Sequence, residues 1–562
     1  MTITQKKHKN KKNHNTNNYD LVIIGGGISG LYTLYKLSKK FSQLKILLLE
    51  SGQRYGGRIY SHKETIDKQE YVMDLGAGRL GYHHKLINNL ISELGLKPKI
   101  VPIPNTKTYI EVTEKNNKTH VSNKTTTKDY IMDKLTKFFF SPLVSKLGKS
   151  LKQSYYLYEF IEKYVSVSFS KKVEDVFEYS SDLNELNAYD AIEYFKYDYN
   201  KTSKFFTLNG GLEQIIERLL LAIKKTRAYK SNKVKLQNLS KVENITYKNN
   251  DISDLFEISV TNYNTKSGLE TYYSKYVICA IPKKSLEQLS IFKPLLRDLN
   301  SINSINLLRI YEIYNKDEET GEVWFKNIEK TITNTNVQFV IPVSPDNGLI
   351  MSSYSDCGNA RYWNNLLAAK GLVFVKQKLN EKLNQLYNIK VPLSKYIKMY
   401  FWDAGVACWK KGVDSDYLSS KLLNPYSRVF IIGENYSKYQ AWIEGALMTS
   451  ESCIAKLAET LTTNNNKTKT KNNNTRKGGG SNKRAISLEE VKKHNKKNDA
   501  WTIIENKVYN ISSWIPKHPG GEIIMQAVGK DATQLFLNNN HPSYVKKTIL
   551  PKYYIGKLKS KI

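Results

Sequence analysis

The sequence predicts an α/β protein, α+β when all its parts are counted. A Rossmann-type domain carries an inserted domain of mixed sheets and helices, and a small α+β module closes the chain. Three observations predict this. "LVIIGGGISGLYTLYKL", from Leu21, reads as a buried strand, a glycine turn and a helix. Strand-like and helix-like patterns then alternate as far as residue 460. Last, the low-complexity stretch 461–484, "LTTNNNKTKTKNNNTRKGGGSNKR", reads as a flexible linker that sets that body apart from a compact segment, 485–562.

The bulk properties permit this plan. The chain has 562 residues, 40% of them hydrophobic, which is enough for two or three domains. No run of about 18 apolar residues occurs, so no membrane span is expected. Residues 1–18 are polar and rich in Asn and Lys, and a disordered basic tail is expected there, without the apolar core of a secretory signal. The four cysteines, Cys279, Cys357, Cys408 and Cys453, have no short spacing. That argues against a disulfide scaffold or a zinc site and for a reducing, cytoplasmic compartment. The net charge of +34 is spread along a chain also rich in Asn and Tyr, as an AT-rich coding sequence produces, so no nucleic-acid partner is inferred from it.

In the first motif, Gly25 allows the tight turn, Gly27 lets a pyrophosphate approach the helix N-terminus, and Gly30 lets helix and strand pack closely. A second strand, "LKILLLE", ends in Glu50, placed to accept hydrogen bonds from a ribose diol. Shortly after it comes Arg54-Tyr55-Gly56-Gly57-Arg58.

With these residues the sequence resembles the flavin amine oxidase family, which includes monoamine, polyamine and L-amino-acid oxidases. Further blocks follow in the family's order: "MDLGAGRLG" from Met73, "LNGGLEQIIERL" from Leu208, "VKLQNLSKVENI" from Val234, "YVICAIPKKSLEQL" from Tyr276 and "RVFIIGENYSKYQAWIEGALMTSESCIAKL" from Arg428. The resemblance covers 19–460. It implies FAD-binding parts at about 19–90, 205–285 and 425–460, and a substrate domain at about 90–205 and 285–425. It also implies FAD contacts by Arg54 and Arg58, by Gly76, Ala77 and Gly78 beneath the flavin ring, by Val242 at the adenine, and by Gly433, Glu434 and Ile443. One departure is Gly52, where many relatives carry an arginine.

The implied activity is oxidation of a primary or secondary amine or an L-amino acid by hydride transfer to the flavin. By the same resemblance Arg79 is placed to clamp a substrate carboxylate and Trp442 to wall the flavin face. Arg309 stands where many members have a lysine that serves the reaction with oxygen. A guanidinium does not shuttle protons as an amine does. Trp409 is a candidate for the opposite wall. Alternative readings are a desaturase or porphyrinogen-type oxidase, and a non-catalytic flavin and haem scaffold.

The closing module resembles cytochrome b5 through "NDAWTIIENKVYNISSW", "HPGGE", "GKDATQLF" and "KYYIGKL". The resemblance implies haem b with His518 and His541 as axial ligands, and a redox partner for the iron. Two histidines would leave the iron no open position, which suits it to carrying electrons. Gly520 and Gly521 would allow the turn that aims His518. The fusion predicts that electrons from the flavin pass to the tethered haem.

Overall fold

The computed structural model describes residues 17–115, 118–198, 203–250, 253–265, 268–473, 485–518, 521–538, 545 and 549–559. The chain divides into two compact units, Met1–Thr460 and Leu461–Ile562.

The first unit is organised by a seven-stranded sheet. Its parallel part runs Val234–Gln237, Ile46–Leu49, Asn18–Ile24, Leu269–Cys279 and Val429–Ile431. Strands buried on both faces read as continuous apolar runs, and Ile46–Leu49 is buried at every residue. The long strand Leu269–Cys279 also starts an antiparallel meander with Ser253–Asn262 and Ser240–Asn250. The helix Ile28–Lys40 follows the first strand. The parallel strands therefore end together, at Ile24, Leu49, Gln237, Cys279 and Ile431, and the crevice beyond those carboxyl ends is where such sheets bind ligands.

A second seven-stranded sheet faces the cavity. Its order is Tyr396–Trp409, Ile302–Ile313, Leu349–Asp356, Phe339–Ser344, Lys330–Thr333, Lys107–Lys115 and Lys118–Asn123. Helices between Thr125 and Asp198 pack on a core that includes Leu135, Phe160, Val173 and Phe195. These are the two stretches expected to form the inserted domain.

Asn18 already pairs with Tyr273 at the start of the first strand, so the expected tail is structured from there, and residues 1–16 lie outside the described residues. The stretch read as a linker also differs. The helix that opens at Ile443 runs on to Asn473, because a helix seeded on packed turns adds one hydrogen bond per further residue and meets no glycine or proline between Gly445 and Gly478. Residues 474–484 lie outside the described residues.

The second unit has a five-stranded sheet in the order Ala485–Ile486, Tyr554–Leu558, Lys507–Asn510, Asp499–Ile504 and Asn495–Lys496. Alternation along its strands makes two small cores. Ile503 and Val508 pack with Ile486 and Val491, whereas Ala500, Ile504 and Tyr509 pack with Ile511 and Ile515. Among the described residues no helix is long and apolar enough to cross a membrane.

Candidate active site

The glycines of the first turn have separate reasons to be glycine. Gly25 has φ +103°, and a Cβ there or at Gly30 would run into backbone carbonyls, those of Ala280 and Gly25 respectively. Gly27 differs: its missing Cβ would meet only the Cα of Gly57, at 3.9 Å. Open space there, rather than protein, makes Gly27 a place where a ligand can reach the backbone. Gly27 is also the N-cap of Ile28–Lys40, and no side chain caps that helix, so the first-turn N–H groups remain for an anion.

Glu50 ends the second strand and is aimed by backbone donors. Its Oε2 accepts from the N–H of Gly26 at 2.7 Å and its Oε1 from that of Gly52 at 2.7 Å. A carboxylate has about four acceptor sites, so ribose hydroxyls can still be accepted there. Gly27, Glu50, Gly57 and Arg58 line one cavity of about 2210 Å³, and so do Val242 and Ile443. These features fit a bound FAD.

Arg58 donates to Glu434 Oε2 at 2.7 Å and to the Gly405 carbonyl at 2.9 Å. The buried Glu434 carboxylate also accepts from the N–H groups of Ala407 and Ala441, tying the loop before the last helix to the second sheet. Arg54 braces its own loop, donating to the carbonyls of Ile59 and Gly57 and lying 4.2 Å over the Tyr60 ring. Gly433, at φ +132°, donates its N–H to Thr449. A Cβ at Gly445 would strike the Tyr439 carbonyl, which explains the glycine in "WIEGA".

Residues 74–79 lie against that loop. The Ala77 N–H donates to the Arg58 carbonyl at 2.9 Å, and a Cβ at Gly76 would collide with the same carbonyl. A Cβ at Gly78 would come 2.5 Å from Nη1 of Arg309. Arg309, buried on the strand Ile302–Ile313, donates to the Asp74 carbonyl at 2.5 Å and stacks its guanidinium 4.7 Å from the Tyr354 ring. The guanidinium thus lies directly beneath the glycine-rich segment. Burial pushes the Asp74 carboxyl up, against hydrogen bonds from Ser61 and the Leu212 N–H.

Arg79 and Trp442 face the same cavity. The Arg79 guanidinium carbon is 4.7 Å from the Phe205 ring, 5.4 Å from Trp442 and 5.8 Å from Tyr179. Phe205 and Trp442 are parallel, with planes 5° apart and centroids 5.6 Å apart. Trp409 lies in the core with its Nε1–H on the Ser437 carbonyl. The aromatic that lines the cavity from that strand is Trp402, whose Nε1–H donates to the Leu75 carbonyl at 2.7 Å. Cys408 is buried, and burial pushes its thiol well above the usual range.

Behind Trp442 sits a polar chain. Tyr439 OH donates to Asp198 Oδ1 at 2.7 Å, His84 Nε2 lies 3.1 Å from Tyr439 OH, and His83 Nε2 lies 2.9 Å from the same Asp198 oxygen. His83, His84 and Asp198 bring one ligand atom each within 4.8 Å of one another, the spacing of a metal trio. Yet His84 Nδ1 accepts the Gly81 N–H at 3.0 Å, which leaves the ring proton of the neutral imidazole on Nε2. That favours a proton chain over a metal ligand.

In the second unit His518 caps the 3-10 turn Ile515–Lys517, and its Nδ1 lies 3.3 Å from the Gly521 carbonyl. A carbonyl only accepts, so this contact puts the proton on Nδ1 rather than Nε2, the tautomer an iron ligand needs. Gly521 has φ +61°. Trp514, Ile515, Ile524 and Met525, on both sides of His518, join the apolar cluster of Ile504 and Tyr509, which suits a haem face. His541 and Gly520 lie outside the described residues.

Comparison with known proteins agrees with both halves. The model of the flavin containing amine oxidoreductase family matches residues 28–453, and that of the cytochrome b5-like heme/steroid binding domain matches 487–559. A solved structure from Exiguobacterium sp. 255-15, provisionally named a protoporphyrinogen oxidase, aligns with a TM-score of 0.56 at 15% identity over 78% of this chain and 98% of its own. At that identity the likeness is one of fold. Curated relatives match over lengths like that of the second unit. The acyl-lipid (8-3)-desaturase of Physcomitrium patens is 51% identical over 72 residues, which are 13% of this chain and 15% of its own. Cytochrome b5 of Oryza sativa subsp. japonica is 45% identical over 76 residues, 13% and 55% of the two chains. The L-lactate dehydrogenase (cytochrome) of Wickerhamomyces anomalus is 41% identical over 71 residues, 12% of each.

Proposed function

The chain belongs to the flavin containing amine oxidoreductase family and ends in a cytochrome b5-like haem-binding domain; from that premise we propose that its first unit oxidises an L-amino acid. The haem of the second unit is the electron outlet in this reading. Bound FAD supplies the acceptor for the hydride that leaves the α carbon as the nitrogen lone pair closes a C=N bond, and bound haem supplies a one-electron carrier.

The observation that supports an amino acid over a simple amine is the setting of Arg79. Its guanidinium lies among Phe205, Trp442 and Tyr179 and lines the cavity that also holds Gly27 and Glu50. A carboxylate makes two parallel charge-assisted hydrogen bonds to such a fork, and low-dielectric aromatic neighbours strengthen them. The parallel Phe205 and Trp442 rings restrict how the rest of the substrate lies, which is where orientation contributes to rate. Ile443, the first residue of its helix, lines the same cavity, and a helix N-terminus stabilises negative charge.

Under this reading, amines with a carboxylate are substrates and those lacking one are poor. Anaerobic mixing with L-amino acids, polyamines and porphyrinogens, followed by flavin absorption, tests it. Bleaching by a polyamine or a porphyrinogen in place of amino acids would replace this reading with one of the alternatives.

A further inference from the structure

Near Arg79 the cavity wall carries charges that the amino-acid reading does not use. Glu178 immediately precedes Tyr179, one of the rings beside the Arg79 guanidinium. Its carboxylate is buried and shared by three lysines from three different elements. Lys107 donates to Oε1, Lys128 lies 3.5 Å from the same oxygen, and Lys330 donates to Oε2 at 3.3 Å. All four residues line the cavity.

Three ammonium groups on one carboxylate leave a formal excess of two positive charges. The imbalance is sharpest at Lys128, whose side chain is 2% exposed and whose Nζ has no hydrogen-bond acceptor. It also lies 5.8 Å from the centroid of the Tyr109 ring. An ammonium has three protons to donate, and burying it with none accepted is costly. Lys330 lies 4.9 Å from the Phe339 ring. Asp129, Asp133, Asp182 and Glu329 also line the cavity, Asp133 being paired with Lys137 at 2.7 Å and Glu329 lying 3.5 Å from the Thr108 hydroxyl. At Glu178 itself three ammonium groups share one carboxylate, and the buried Lys128 Nζ is the one left without an acceptor.

We propose that Lys107, Lys128 and Lys330 form a second anion subsite, and that the amino acid oxidised carries an acidic side chain. This rests on the reading of the first unit as an amino-acid oxidase and names its substrate class. Arg79 takes the α-carboxylate and the lysines take the distal acid. Burial pushes the Lys128 and Lys330 ammonium groups down to about 8, against the pull of Glu178, and a second anion beside them would hold their charge to higher pH.

The test uses the full-length protein with both cofactors, anaerobically, with L-glutamate, L-aspartate, O-phospho-L-serine, L-glutamine and L-leucine. The expected result is flavin bleaching with kcat/KM at least tenfold higher for glutamate than for glutamine. Lys128→Met and Lys330→Met should each reduce that ratio at least tenfold, chiefly through KM. Phosphoserine preferred over aspartate would identify phosphate as the acid. Equal values for glutamate and glutamine, or an unchanged ratio in both variants, would overturn the subsite. A second readout needs no turnover: glutarate should raise the melting temperature of the wild type and not that of Lys128→Met. Absence of that shift in the wild type would also overturn it. Bleaching by leucine but not glutamate sinks the subsite alone. No bleaching by any amino acid, with a glutarate shift intact, sinks the oxidase reading instead.

Discussion

The two cofactor sites are built in opposite ways. The dinucleotide cradle is assembled from distant parts of the chain. Gly27, Glu50, Val242, Gly433 and Ile443 meet because parallel strands end at one edge, and Arg58 reaches Glu434 across 376 positions of sequence. The haem loop is local. His518 takes its tautomer from Gly521, three residues on, beside a small apolar cluster of its own unit. A long-range site inherits the rigidity of a whole core, whereas a local one depends on one turn. Damage to one site should therefore leave the other intact.

The largest expected effect is a paired one. Gly30→Val drives a branched side chain into the Gly25 carbonyl, and overpacking of this kind costs about 1–3 kcal/mol or more. The FAD content of the purified protein should fall at least tenfold while the haem spectrum keeps its intensity. His518→Ala should do the reverse, removing the haem bands and leaving flavin content within a factor of two. Loss of both cofactors in either variant would break the contrast.

Next comes Arg79→Ala. Hydrogen bonds to a charged group are worth about 1.5–3 kcal/mol, so kcat/KM for amines bearing a carboxylate should fall by roughly 10- to 100-fold. Carboxylate-free amines, poor to begin with, should change far less. Equal losses in both classes, measured by flavin bleaching, would make Arg79 a brace and not a clamp.

Legibility in the sequence follows the same division. The glycine turn, Glu50, Arg58 and the "HPGG" loop were readable because each acts through neighbours a few residues away, where spacing carries the geometry. Phe205, Tyr179 and Trp402 were not. Each enters the cavity from a different element, and no local pattern marks an aromatic as a wall rather than as core. Trp409 illustrates the difficulty: it and Trp402 lie on one strand, and only packing shows which of them lines the cavity. Lys107, Lys128 and Lys330 were still less visible, three among 86 basic residues, joined through Glu178 at separations of up to 152 positions. Arg309 was picked out by its place in the family pattern, but its fit beneath Gly78 needed the fold.

The smallest effect expected is one of pH, and it sharpens the contrast within the first unit. Lys128 and Lys330 lose their protons as pH rises through about 8, whereas the Arg79 guanidinium stays charged. The titratable and charged groups around them include Lys107, Glu178, Tyr109 and Tyr179, Glu329 on the Thr108 hydroxyl, and the Arg79 guanidinium, which opposes the charge of Lys330. Between pH 7 and 9 the advantage of glutamate over glutamine should shrink severalfold through KM, while KM for leucine stays nearly level. A parallel rise for all three would place the titration elsewhere.

The most direct measurement is anaerobic mixing of the full-length protein with L-glutamate, with flavin and haem absorption followed together. The flavin should bleach and the haem bands should then shift to the reduced form, in the absence of oxygen. A flavin that stays oxidised with every amino acid offered, or one that bleaches while the haem remains oxidised, would contradict it.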